Sequence, residues 1–474
     1  MATLVSEMLG GNESDFDKLG VFDAVIGVDT RLFVDPFLLN KTKVPELKNS
    51  RNRIKKYYED IITLLLASKS IGDIAWKEAY KRLIFRELKG VSIGYGAHSS
   101  DGSAIGPVLA KKLVKTASEI VNMGIKDPNI FELIGLFEED FGADRLSDMT
   151  LRIIKEDVFR YTERVTKELN IVKTHSYKIG EKEFTLPISS KTGKPVILLP
   201  KEILRDLPVA LTWEGIDHVV AVNNELRQRL NRLIGTGWRS KIKKQELRDI
   251  IFTKKENVTE LLDAYKNSSA NNYDFEKDPA GQVNWYKIGR KYAEDNPLNL
   301  EKKHITNIEQ LKDTLRKIAN QFKRNIEVNG LNEHLYVKQG NTYKRRHERY
   351  SQLLFFAIAD SYCEANDTDL NREPNAGSGP VDFKVSKGYN LRGLVEIKLS
   401  SNPSVTKGYE KQITAYEQSE RTTTSFYLVI KVTKSERKTA LLIKRYEEKI
   451  QKGETAPELI IIDGVKKPTA SKRK

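Results

Sequence analysis

The sequence predicts a multidomain α/β protein with a mainly helical N-terminal region, an α+β middle region and a C-terminal α/β core. Three observations carry this reading. The chain has 474 residues, and about 100–200 residues per domain divides it into three. Apolar residues recur at helical spacing in the first third and at period two near the C-terminus. With 39% hydrophobic and 31% charged residues the chain can bury substantial cores, and no apolar run reaches the roughly 18–20 residues that span a bilayer.

The first domain, 1–170, opens with two short strand candidates at 24–28 and 31–34, around an Asp29-Thr30 turn. Apolar spacings of three and four then predict helices over 54–67, 74–88 and 108–123. Segment 94–107 is a glycine- and serine-rich loop feeding a helix. It lacks the Gly-x-x-x-x-Gly-Lys-Ser/Thr phosphate pattern, which favours a structural loop. Segment 137–148 carries five carboxylates and reads as a solvated helix end with local Asp–Arg pairing, in preference to a metal site.

The middle domain, 171–300, begins with strand-like pieces at 176–179, 183–186 and 195–199, with a turn at 191–194. Further on, Trp238, Arg239, Lys241, Lys243 and Lys244 combine an aromatic with four cations among glycines. That composition suits base stacking and phosphate contact; the plain alternative is a basic helix start covering a buried Trp238. A helical connector, 301–342, carries Ile308, Leu311, Leu315, Ile318 and Phe322 on one stripe.

The last domain, 343–474, opens with a helix over 345–365 that places Glu348 on its first turns. Two strands follow. Val381, Phe383 and Val385 alternate with Asp382 and Lys384, and Val395, Ile397 and Leu399 alternate with Glu396 and Lys398. Asp382, Glu396 and Lys398 therefore converge on one sheet face. Two carboxylates and an ammonium beside a core are costly unless a metal or partner compensates them. A helix over 405–420 puts Tyr409, Gln412, Ile413 and Tyr416 on one face, and 425–432 is an apolar run typical of a central strand.

An acid in a Gly-Pro-Val-Asp382-Phe strand, Glu396-Ile397-Lys398 on the next strand and Gln412-x-x-x-Tyr416 on the following helix resemble the PD-(D/E)XK nuclease superfamily. The resemblance covers about the last 130 residues, and the proline stands one position earlier than in the common Pro-Asp form. It implies a restriction-endonuclease-like αβββαβ core that hydrolyses phosphodiester bonds with Mg²⁺ or Mn²⁺. Asp382, Glu396 and the backbone carbonyl of Ile397 would be metal ligands, with Glu348 touching a metal through water or completing a second site. Lys398 would orient or help deprotonate the attacking water, with Gln412 and Tyr416 as an accessory pair. The donor chemistry agrees independently, because hard cations take carboxylate and carbonyl oxygens. The bland alternatives are a buried ion-pair cluster for the acids and lysine, helix packing for Gln412 and Tyr416, and pairing of Glu348 with Arg345, Arg346 or Arg349. Segment 375–379 offers a small-residue approach to DNA or a flexible loop, and His347 reads as a surface residue more readily than a proton carrier.

A formal net charge of +15 makes a polyanion the expected partner, DNA first and RNA second, and no membrane anchor is visible. Cations at 466, 467 and 472–474 would add a phosphate-binding arm or a solvated tail. One cysteine and no secretory pattern fit a reducing cytoplasm. The expected function is a metal-dependent DNA endonuclease of bacterial restriction or anti-phage defence, acting as a homo-oligomer or with a partner protein of such a system. The competing readings are a DNA-repair or RNA-directed nuclease and a non-catalytic nucleic-acid-binding protein on a nuclease fold.

Overall fold

The computed structural model describes residues 3–26, 28, 30, 32–91, 93, 105–138, 140–190, 193–206, 244–267, 271–278, 281–298, 305–339, 342–365, 368–372, 381–388, 390–435 and 437–466. These belong to two units, 3–275 and 276–474, each considered by itself.

The N-terminal unit is mainly helical. Its helices Ser50–Ala67, Ile74–Arg82 and Pro107–Asn122 match the apolar spacing, although the second stops short of residue 88. Leu83 caps it, and Phe85 then forms an antiparallel bridge to Ile105. Asp73 starts that helix by accepting from the Trp76 N–H, a side-chain cap. Strand Leu32–Val34 pairs antiparallel with Leu204–Asp206, so residues far apart in sequence share one sheet. Thr174–Ile179 and Lys182–Pro187 form the expected hairpin. The apolar run 195–199 is not a strand; Pro195 makes an isolated bridge to Ile188, and Ile197 N–H donates to the Gly90 carbonyl.

In the C-terminal unit, elements are labelled in chain order. They are α1 (Asn284–Asp295), α2 (Ile308–Glu327), the hairpin β1 (Tyr336–Gln339) and β2 (Thr342–Arg345), and α3 (Glu348–Ala365). Then come β3 (Asp369–Arg372), β4 (Phe383–Lys387) and β5 (Leu391–Leu399). Helix α4 has three consecutive pieces: Val405–Lys407, a π-turn Gly408–Gln412, and Ile413–Glu420. The chain closes with β6 (Ser425–Lys431), α5 (Arg437–Gln451) and β7 (Glu458–Asp463).

The sheet order is β7-β6-β5-β4-β3. β4 runs antiparallel to β3 and β5, while β5, β6 and β7 are parallel. Helices α4 and α5 make the crossovers that parallel neighbours require. Strand β6 is buried through Ile430, which explains its continuous apolar run.

Helix α3 is apolar almost all round because it is covered on several sides. Phe355 meets Phe322 of α2 with ring centroids 5.2 Å apart and Phe383 of β4 at 5.1 Å. Phe356 meets Trp285 of α1 at 6.2 Å. Gly289 of α1 faces Ala357 so closely that a Cβ on it would lie 2.4 Å from the alanine methyl. The element that presents Glu348 is thus held rigidly against the sheet.

Candidate active site

Register and helix placement bring four charged side chains together. Phe383 pairs with Val395, so Asp382, one residue before β4, lies at the level of Glu396. Lys398 follows two positions on along β5 and shares the face of Glu396. From the opposite side the first turn of α3 supplies Glu348.

Lys398 Nζ is the hub. It lies 2.7 Å from Glu396 Oε1, 3.6 Å from Glu348 Oε1 and 3.9 Å from Asp382 Oδ2. The four side chains expose 2–14% of their surface. Asp382 Oδ2 accepts from the Ile397 N–H at 2.7 Å, and the Asp382 N–H donates to Glu396 Oε2 at 3.2 Å. Glu348 accepts from the Leu399 N–H at 2.8 Å and from Asn402 Nδ2 at 3.0 and 3.1 Å. Of the neighbouring arginines, Arg345 Nη1 donates to Ser401 Oγ and Arg346 Nη1 donates to the Asp278 carbonyl at 2.6 Å.

Gln352 joins this set without an obvious sequence signal. Its Nε2 donates to Asp382 Oδ1 at 2.8 Å and fixes the carboxylate plane. The available clue is position alone, four residues after Glu348 on the same helix face.

Burial is the main cause that pushes the Asp382 carboxyl up, to about 8, with the Glu396 charge adding to it and Lys398 opposing it. For Lys398, burial works against the charge, but Asp382, Glu396 and Glu348 outweigh it and hold its pKa well above the ordinary lysine value. Three carboxylates therefore share one ammonium.

Gln412 and Tyr416 lie beside this set. Tyr416 is buried against Val381 and Leu394, and burial, then the Glu396 charge, raise its phenol pKa. Gln412 is hydrogen-bonded to Tyr416 but is exposed, whereas Tyr409 and Ile413 are fully buried. The π-turn widens the helix at Gly408–Gln412 and breaks the common face that regular spacing suggests. Among the described residues neither Gln412 nor Tyr416 bonds to Lys398.

Trp238, Arg239, Lys241 and Lys243 lie outside the described residues, as do 94–104, 373–380 and the tail from 467; Lys244 begins helix Lys244–Ile251. In the acid-rich stretch, Glu138 is buried and accepts from Arg248 Nη1 at 2.9 Å and from Thr116, so it is not solvated. Asp144 and Arg145 do approach, to 4.0 Å.

Among the described residues no group of three or more His, Cys, Asp or Glu side chains is spaced as a protein-only metal cage. Mg²⁺ seldom needs one, since it binds through one or two carboxylates with water and substrate phosphate. Asp382 and Glu396 each use their oxygens as hydrogen-bond acceptors, and a carboxylate oxygen has a second lone pair free for a cation. The surplus of carboxylate over ammonium charge is what a divalent ion would balance. The set fits.

Two family models match parts of the chain, both described as domains of unknown function: DUF8370 over residues 11–212 and DUF8371 over residues 311–434. The second includes all the site residues from Glu348 to Tyr416. No curated protein and no solved structure matches the chain. No helix among the described residues is long and apolar enough to cross a membrane.

Proposed function

We propose that the chain is a divalent-metal-dependent endonuclease that hydrolyses DNA phosphodiester bonds on a restriction-endonuclease-like C-terminal core. The observation that carries this reading is the convergence of Asp382, Glu396 and Glu348 on Lys398 from a turn, a strand and a helix. A Mg²⁺ or Mn²⁺ ion held by Asp382, Glu396 and the Ile397 carbonyl would supply charge neutralisation and lower the pKa of a bound water. Lys398, paired with Glu396 at 2.7 Å, would orient or help deprotonate the attacking water and hold the scissile phosphate. Gln352 holds Asp382 in plane, Asn402 and the Leu399 N–H hold Glu348, and Tyr416 backs the β4–β5 pair. A setting in restriction or anti-phage defence rests on analogy with other multidomain nucleases.

Supercoiled plasmid, linear duplex, single-stranded DNA and RNA, each with and without Mn²⁺, test the activity. Nicked circles are expected from the native chain. Asp382→Ala, Glu396→Ala and Lys398→Ala are each expected to lower the rate by about 100-fold or more while binding persists. Full activity of all three variants would overturn the proposal. The direct Lys398–Glu396 ion pair favours one competing reading, a non-catalytic binder with a metal-free cluster. Calorimetric titration with Mn²⁺ separates the two, since a binder of that kind takes up no ion.

A further inference from the structure

Directly before Glu348 the hairpin β1–β2 carries a strongly basic face. In its register Tyr336 pairs with Arg345 and Lys338 with Tyr343, so these four side chains share one side. Lys466 lies over the same side, with Nζ 3.7 Å from the Tyr343 ring centroid and 5.9 Å from that of Tyr336. The face thus holds two aromatics and three cations. Lys338, Tyr343 and Arg345 are exposed, and β2 is exposed along its whole length.

Lys338 has no ion-pair partner among the described residues, and no acid occurs between residues 336 and 347. Asp463 lies close enough to influence Tyr336 and offsets part of this charge, leaving the face net positive. Each strand cation stands opposite a tyrosine, so the face combines exposed positive charge with aromatic surface, a composition that suits phosphate contact.

The face is continuous with the site. Arg345 donates to Ser401, and the next residue, Asn402, donates to Glu348. Lys438 of α5 donates to the Asn402 carbonyl of the same loop at 2.9 Å. Arg345 and Lys438 therefore both bond to the loop that holds Glu348.

We infer that the β1–β2 face, through Lys338, Arg345 and Lys466, is a phosphodiester-backbone grip that lays a nucleic-acid strand along the 400–404 loop into the site. The inference rests on the nuclease reading for its destination, but its binding signature is independent of cleavage. Backbone contacts of this type carry no sequence information and position the strand.

The full chain is titrated, without divalent metal, against fluorescein-labelled duplex DNA, single-stranded DNA and RNA at several salt concentrations. Each phosphate-contacting cation removed should flatten the plot of log affinity against log salt by about 0.9 on duplex DNA. The triple variant Lys338→Gln, Arg345→Gln, Lys466→Gln is expected to bind at least about tenfold more weakly at low salt, with a slope shallower by about 2 to 3. Circular dichroism checks its fold. Should it misfold, the exposed single variant Lys338→Glu still reads the slope, with a change of about 1 expected. Unchanged affinity and slope in a folded variant, or no binding by the native chain to any of the three polymers, would overturn the grip. The three polymers show whether the strand is DNA or RNA. A native chain that binds through the hairpin yet cleaves nothing with Mn²⁺ would leave the grip standing and remove the nuclease. Cleavage with an unaffected triple variant would do the reverse.

Discussion

At Asp382 the protein holds a carboxyl where its charge is unwelcome. Its pKa rises from 3.8 to about 8, so the fold favours the neutral form. The stability this lends is fully present below about pH 4 and is lost as pH rises through about 8. Metal-free protein should therefore lose stability across that window by on the order of a few kcal/mol relative to Asp382→Asn. Urea denaturation at several pH values between 4 and 8 checks this, and parallel curves for the two proteins would refute charge crowding. The carboxylates and lysine of this site are legible in the sequence because period two puts polar groups against an apolar background. Gln352 is not, since a glutamine before Leu353-Leu354-Phe355-Phe356 looks like an ordinary solvent-facing helix residue. Arg51 with Glu132, buried in the N-terminal unit 2.5 Å apart, is equally hidden, because partners so distant in sequence leave no periodic trace.

Among elements, α2 shows how much of a helix the sequence reveals. Its stripe of Leu311, Leu315, Ile318 and Phe322 is legible, but the surface it covers is not. That surface is the sheet: a Cβ on Gly393 of β5 would come within 2.3 Å of Leu315 Cδ1. Gly393→Ala is expected to cost about 1–3 kcal/mol by overpacking. Leu315→Ala is expected to cost about 2–5 kcal/mol by leaving a cavity. Combined, they should cost less than their sum, since the new methyl enters the space the leucine leaves. Strictly additive urea midpoints would refute this close contact. Strands β3 and β7 escape the sequence reading for different reasons. β3, Asp-Leu-Asn-Arg, is a polar edge with no alternation, and the apolar run of β7 is too short for periodicity to tell a strand from a helix.

For the whole molecule, the two units set what can be separated. Helix α1 packs on α3 and α2 on the sheet, so the site's support begins well before Glu348. A fragment starting at Glu276 is expected to fold and bind Mn²⁺. One starting at Tyr343 lacks α1 and α2 and is expected to be insoluble or molten, as near-ultraviolet circular dichroism would show. A well-folded 343–474 fragment would contradict this assignment of support. The +15 charge further predicts that binding to any polyanion weakens steeply with salt.

The crowding of acids around Lys398 also constrains how such a protein can change over time. Loss of Asp382 or Glu396 relieves repulsion, whereas loss of Lys398 first leaves three carboxylates buried without a counter-charge. An acid is therefore lost at less cost than the lysine. Relatives that keep the lysine beside a neutral residue at position 382 are expected to be more stable than those that keep all four charges, as urea denaturation would show.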